Sequence, residues 1–209
     1  MKTSRLVVLA LLASSITASS FAANAQDALA ASLAETSNEI ARTGNQLQTA
    51  VKSLEALTSQ KTGDLRPTYQ SFTTAIAETQ ESAKFTVDRA AKMRDDMVNY
   101  FTKWQSEVAN INNPDVKASA QKRLTSVQTG YEQLTGELAA VGQQFRPLLS
   151  DLNDIKAALD NDLTVGGVKN LKKVSKSAST QMNSLHKALN GVLTRLNETQ
   201  KMLGSSTGK

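Results

Sequence analysis

The 209-residue chain has no cysteine, one histidine, one tryptophan and three prolines. Without cysteine there is no disulfide, no thiolate nucleophile, no sulfur ligand for a metal, and no lipobox residue to carry a lipid. His186 stands alone on a Lys- and Asn-rich stretch, so no second imidazole can complete a metal shell and a Ser-His-Asp cleft has little to build on. Gly166-Gly167 follows a helical stretch rather than a strand, and no G-x-G-x-x-G is present, which argues against a phosphate-cradling loop. Asp160-Asn161-Asp162 opens like a calcium loop but lacks the glycine at the sixth position and the closing glutamate. Aromatics make up only 4% of the chain, too few for a rounded globule with a thick core. These absences favour a non-enzymatic chain with no cofactor and no metal.

What is present is periodicity. Leu65, Tyr69, Phe72, Ile76, Thr79 and Ala83, then Ala90, Met93, Met97, Phe101, Trp104, Val108 and Ile111, step at spacings of three and four. A second run does the same: Val116, Ala120, Leu124, Val127, Tyr131, Leu134, Leu138, Val141, Phe145, Leu148, Leu152, Ile155 and Leu159. Such spacing is the seam of packed helices. Between the runs, Asn112-Asn113-Pro114-Asp115 supplies a stop, an N-cap and a proline at the first helical position.

The expected fold is all-α, an elongated antiparallel coiled coil or helical bundle of about four helices, two of them very long. The helices are placed at 27–59, 64–111, 114–159 and 168–203. In the first, Leu29, Leu33, Ile40, Leu47, Val51 and Leu54 should face inward; in the last, Leu171, Val174, Ala178, Met182, Leu185, Leu189, Val192 and Leu196. Two irregularities interrupt the pattern. Met93, Met97 and Phe101 are spaced four plus four, a stutter that relaxes the supercoil. Pro147 removes a backbone donor, which predicts a kink near Phe145. Phe101 and Trp104 lie near the turn and are expected to pack against Leu124 and Val127; an exposed aromatic tip that enters a partner or membrane is the alternative.

The first residues read as an export signal: basic Lys2 and Arg5, a short apolar stretch from Leu6 to Ala13, then Ala23-Asn24-Ala25 before Gln26. The apolar stretch is too short to span a bilayer. The expected organisation is therefore a cleaved signal peptide at 1–25, the bundle at 26–203 and a small-polar tail at 204–209, with a periplasmic destination. An uncleaved anchor is the alternative. No later stretch is apolar enough to cross a membrane.

The middle of the chain carries Phe101-x-x-Trp104-x-x-Glu107, Leu124, Tyr131-x-x-Leu134, Pro147-x-Leu149 and Asp154, continued by Leu163, Val168 and Leu171. In this spacing it resembles a bacterial family of uncharacterised proteins, domain-of-unknown-function family 2959. The resemblance implies an exported helical protein of unassigned function, and it supplies no catalytic residue. The chain departs from the family pattern in lacking a lipobox cysteine and in having Thr164 where members often have Asn.

Charge is unevenly placed. The formal net charge is +5, and residues 161–209 hold eight basic and two acidic side chains, whereas each earlier segment from residue 26 onward is close to balance. Lys169, Lys172, Lys173 and Lys176 follow i, i+3, i+4, i+7 and should share one helix face. Such a stripe suits lipid phosphates or an acidic protein; solvation, or pairing with Asp151 and Asp154, accounts for the same spacing. The expected role is structural or adaptor, in the bacterial cell envelope. A holdase-like periplasmic chaperone and an anionic envelope-lipid binder are the alternatives. The expected partner is an envelope protein or an anionic lipid surface, with a second copy of the chain also open; nucleic acid is disfavoured.

Overall fold

The computed structural model describes residues 14–204, with side chains from Gln26 onward. Five helices account for nearly all of it: α1 (Ser14–Ser59), α2 (Arg66–Ala109), α3 (Pro114–Asn161), α4 (Val165–Asn170) and α5 (Lys172–Gly204). No strand occurs among the described residues. At 48 residues α3 is roughly 70 Å long. Residues 1–13 of the expected leader and 205–209 of the expected tail lie outside the described residues. Residues 14–25 form the opening turns of α1, so this helix begins ahead of the expected start at Asp27.

The turns are built from the residues the sequence singles out. Asn113 caps α3: its Oδ1 accepts from the backbone N–H of Asp115 at 3.0 Å and of Val116 at 3.2 Å. Pro114 follows at the first helical position, where its missing donor costs nothing. Lys117 Nζ reaches back to the Ala109 carbonyl at 2.8 Å and closes the hairpin. Between α1 and α2, Gly63 takes a φ of 95°, a conformation that strongly favours glycine. Asp64 Oδ1 then accepts from the Arg66 N–H, ahead of Pro67.

The long helices run up-down-up-down as a four-helix bundle. Helix α1 packs broadly on α2 and α5, and α3 packs on α5. The α2–α3 contact is the lightest of the four around the ring. Cross-helix pairs fix the antiparallel register. Thr58 Oγ1 donates to Ser175 Oγ at 3.1 Å between α1 and α5. Arg195 meets Glu137, and Ser184 meets Gln144, between α5 and α3. Gln80 donates to Asn153 at 3.0 Å between α2 and α3. The inward residues expected on α1 are all buried, as are Ala178, Met182, Leu185, Leu189, Val192 and Leu196 on α5.

Four details differ from the sequence expectation. The last long helix is divided at Leu171, where a tightened turn (Leu171 N–H to the Val168 carbonyl, 3.1 Å) separates α4 from α5. Val174 is turned outward, 41% exposed, and Ser175, four residues after Leu171 on the three-four period, takes the inward place against Thr58. Val116 is 54% exposed in the first turn of α3, at the hairpin tip where little packs over it. Trp104 is only half-buried, edge-on to Tyr100 at 5.6 Å, and Phe101 lies edge-on to Tyr131 of α3 at 5.9 Å.

Candidate functional site

The basic cluster forms at the α4–α5 junction. Thr164 caps α4 by accepting from Gly167 N–H at 3.1 Å, and its hydroxyl donates to Asp162 Oδ1 at 2.7 Å. This loop is tight: a Cβ on Gly167 would lie 2.5 Å from the Asp162 carbonyl oxygen. The chain then passes through the narrowed turn at Leu171 into α5. Lys172, Lys173 and Lys176 lie together at the start of α5, and Lys169 precedes the turn on α4. The four lysines therefore lie on both sides of that turn, one on α4 and three on α5.

All four are exposed, and none has a carboxylate within salt-bridge distance among the described residues. Asp151 accepts from Gln181 Nε2 at 3.2 Å, and Asp154 is exposed without an ion pair. Pairing with those two residues therefore does not account for the cluster. Lysines at the start of α5 also sit at the positive end of its dipole, where cations are mildly disfavoured. Val165 and Val174, each 41% exposed, stand among them.

A second feature lies midway along the bundle. Both hydrophobic seams open at the same level, with buried residues on either side of the opening. On α3, Leu134, Leu148 and Leu152 are fully buried, but Leu138, Val141 and Phe145 between them are only partly covered. On α2, Thr79 and Met93 are buried, while Ala83 and Ala90 between them are not fully covered. A groove of about 760 Å³ fills this gap. Its cause is visible in α2. There the helix is held to α1 by short polar side chains: Thr43 and Thr86 hydroxyls at 2.8 Å, Thr86 to the Glu39 carbonyl at 3.2 Å, and Ser82 to Gln46. Ala83, the seam residue of α2 that lines this space, is small and leaves it open. The sequence pattern missed the groove because Ala83 and Ala90 fit the seam period; their size, with the missing seam residue between them, was the available signal.

A third polar cluster sits where α2 and α3 meet near the loop end. The Tyr69 hydroxyl donates to Asp160, and Lys156 Nζ pairs with Asp160 at 2.6 Å. Asp160 is held below the ordinary carboxylate range by Lys156 first and Tyr69 second. The Tyr69 phenol is pushed well above its usual value by burial and by this carboxylate. These contacts fasten α2 to α3 through one carboxylate shared by Lys156 and Tyr69.

No group of three or more His, Cys, Asp or Glu residues able to hold a metal ion occurs among the described residues, and His186 is exposed. No described helix is long and apolar enough to cross a membrane. Of the residues that carry the family resemblance, Leu124, Tyr131, Leu134 and Val168 are buried and Phe101, Trp104, Leu149, Leu163 and Leu171 pack partly against neighbours. Their spacing is explained by helix packing. No curated protein and no solved structure matches the chain. The sequence pattern of the family described as "Protein of unknown function (DUF2959)" matches residues 17–203, nearly the whole chain, and the protein belongs to that family.

Proposed function

We propose that the protein is a non-enzymatic adaptor of the bacterial cell envelope, exported to the periplasm, which engages an anionic surface through the basic start of its last long helix. The observation that carries this reading is the set of four exposed lysines without carboxylate partners, beside two exposed valines. Unpaired lysines at a helix N-terminus carry a small electrostatic cost that an anionic partner relieves. Each lysine near an anionic membrane contributes about 1 kcal/mol, and the attraction fades within a Debye length. Exposed valines between the lysines add a shallow apolar contact of the kind that interfacial helices use.

The test is co-sedimentation with vesicles containing phosphatidylglycerol, comparing the wild type with a variant in which Lys169, Lys172, Lys173 and Lys176 are all Gln. The wild type should bind at low salt and release as salt rises; the variant should bind weakly at all salt concentrations, with unchanged helix content. Equal binding by the two proteins at low salt would reduce the lysines to a solvated face. A holdase reading has one observation in its favour, the apolar groove between α2 and α3. Its volume of about 760 Å³ suits a small molecule better than an unfolded polypeptide.

A further inference from the structure

The groove has a chemistry of its own. Ile40 of α1, Val87 of α2, Leu138, Val141 and Phe145 of α3 and Leu189 of α5 give it apolar walls. The polar groups on its α1 and α2 side are already satisfied, since Thr43 and Thr86 bond to each other and Thr86 also reaches the Glu39 carbonyl, while Gln143 on α3 is exposed. The interior therefore asks a ligand for hydrocarbon and for no hydrogen bond. Charge is confined to Lys84, Asp88 and Arg146, all exposed and without an ion pair among the described residues. Two cations against one carboxylate leave a surplus of one positive charge at the rim. A volume of about 760 Å³ lies within the range of small-molecule sites, and the space between bundle helices is a common place for them.

We infer that the groove binds a single-chain acidic amphiphile of the fatty-acid type, with the acyl chain along the apolar walls and the carboxylate at the rim beside Arg146 and Lys84. An arginine offers paired donors that match a carboxylate, and the one-charge surplus fits a monoanionic head. The inference is independent of the basic cluster at the α4–α5 junction, which lies near one end of the bundle.

The experiment titrates the purified protein with the fluorescent fatty acid cis-parinaric acid, followed by displacement with oleate and, separately, with the neutral amide oleamide. Gly142 provides the decisive variant. It lines the groove, and nothing lies within 4 Å of a Cβ placed there. Gly142→Leu adds a side chain to the open space and also favours helix, so this variant should fold at least as well as the wild type. The wild type should bind parinarate saturably, and Gly142→Leu should lose that binding while keeping its thermal midpoint. Arg146→Gln should weaken parinarate about tenfold to a hundredfold, the loss expected for one charged hydrogen bond, and leave oleamide displacement nearly unchanged. The quadruple lysine variant should bind parinarate as the wild type does, which separates failure here from failure of the surface reading. No saturable binding by the wild type, or equal binding by Gly142→Leu, overturns the inference. So does a wild-type dimer that Gly142→Leu converts to a monomer without any fatty-acid binding, since the groove's occupant is then a second copy of the chain.

Discussion

Truncating leucines one at a time along α3 converts the open seam into a stability profile. Leu148 is fully buried, so Leu148→Ala removes its transfer free energy and leaves a cavity that the packed helices cannot collapse. Substitutions of this kind cost about 2–5 kcal/mol. Leu138, ten residues earlier on the same seam, is only partly covered and lines the groove. Its truncation enlarges a space that is already open, so only part of the transfer term is lost, about 1 kcal/mol. For a chain of this size each kcal/mol moves the thermal midpoint by about 2–4 °C. Leu134→Ala should behave like Leu148→Ala, because Leu134 is again fully buried. The profile along α3 should therefore be high, low, high. Urea unfolding followed by circular dichroism measures it, with the comparison valid where the slope m is unchanged. Should Leu138→Ala prove as costly as its two neighbours, α2 covers that residue in solution and the reasoning behind the groove fails.

Other consequences follow from single positions. The Tyr131 hydroxyl is buried without a hydrogen-bond partner among the described residues, so Tyr131→Phe should raise stability by about 1 kcal/mol; a loss of that size in urea unfolding would reveal a hidden partner. Gly136 has nothing within 4 Å of a would-be Cβ, and Gly136→Ala should add about 1 kcal/mol through helix propensity. Gly167→Ala should destabilise instead, because its Cβ meets the Asp162 backbone oxygen, and thermal melts of the two variants should move in opposite directions. Because Asp160 has a lowered folded-state pKa, its stabilising contribution is present above the ordinary carboxylate pKa of about 3.9 and disappears as pH falls through the folded value. Asp160→Asn should flatten that acidic limb of a stability–pH curve, and an unchanged curve would show that Lys156 and Tyr69 do not hold the carboxylate in solution.

The helices were legible because their signals are local. Asn113 and Pro114 mark the hairpin without any knowledge of what packs on it, and the three-four spacing marks which side of α3 is buried at Leu124, Leu134, Leu148 and Leu152. Periodicity gives direction but not distance. It places Leu138, Val141 and Phe145 on the seam, yet whether α2 reaches them depends on how closely Ser82 and Thr86 hold α2 to α1, which is a tertiary fact. The split at Leu171 was hidden for a related reason. The tightened turn leaves the period intact: Val168, Leu171, Ser175, Ala178, Met182 and Leu185 keep the three-four spacing across it, and the inward position falls on polar Ser175 rather than on the more apolar Val174 beside it. The lysine cluster was readable from its charge pattern, and its residues lie on both sides of that same turn.

In the single-chain antiparallel bundle, α2 and α3 meet on either side of an open middle. Because the chain has no cysteine, introduced pairs report without background. Three pairs suffice: Gln80 with Asn153 and Phe101 with Tyr131 flank the groove between α2 and α3, and Thr58 with Ser175 joins α1 to α5. Treated with a short bismaleimide crosslinker at low protein concentration, each double-cysteine variant should link within one chain, giving a compact monomer on a denaturing gel. Links that form only between chains, or failure of either α2–α3 pair while the α1–α5 pair links, would contradict the bundle described here.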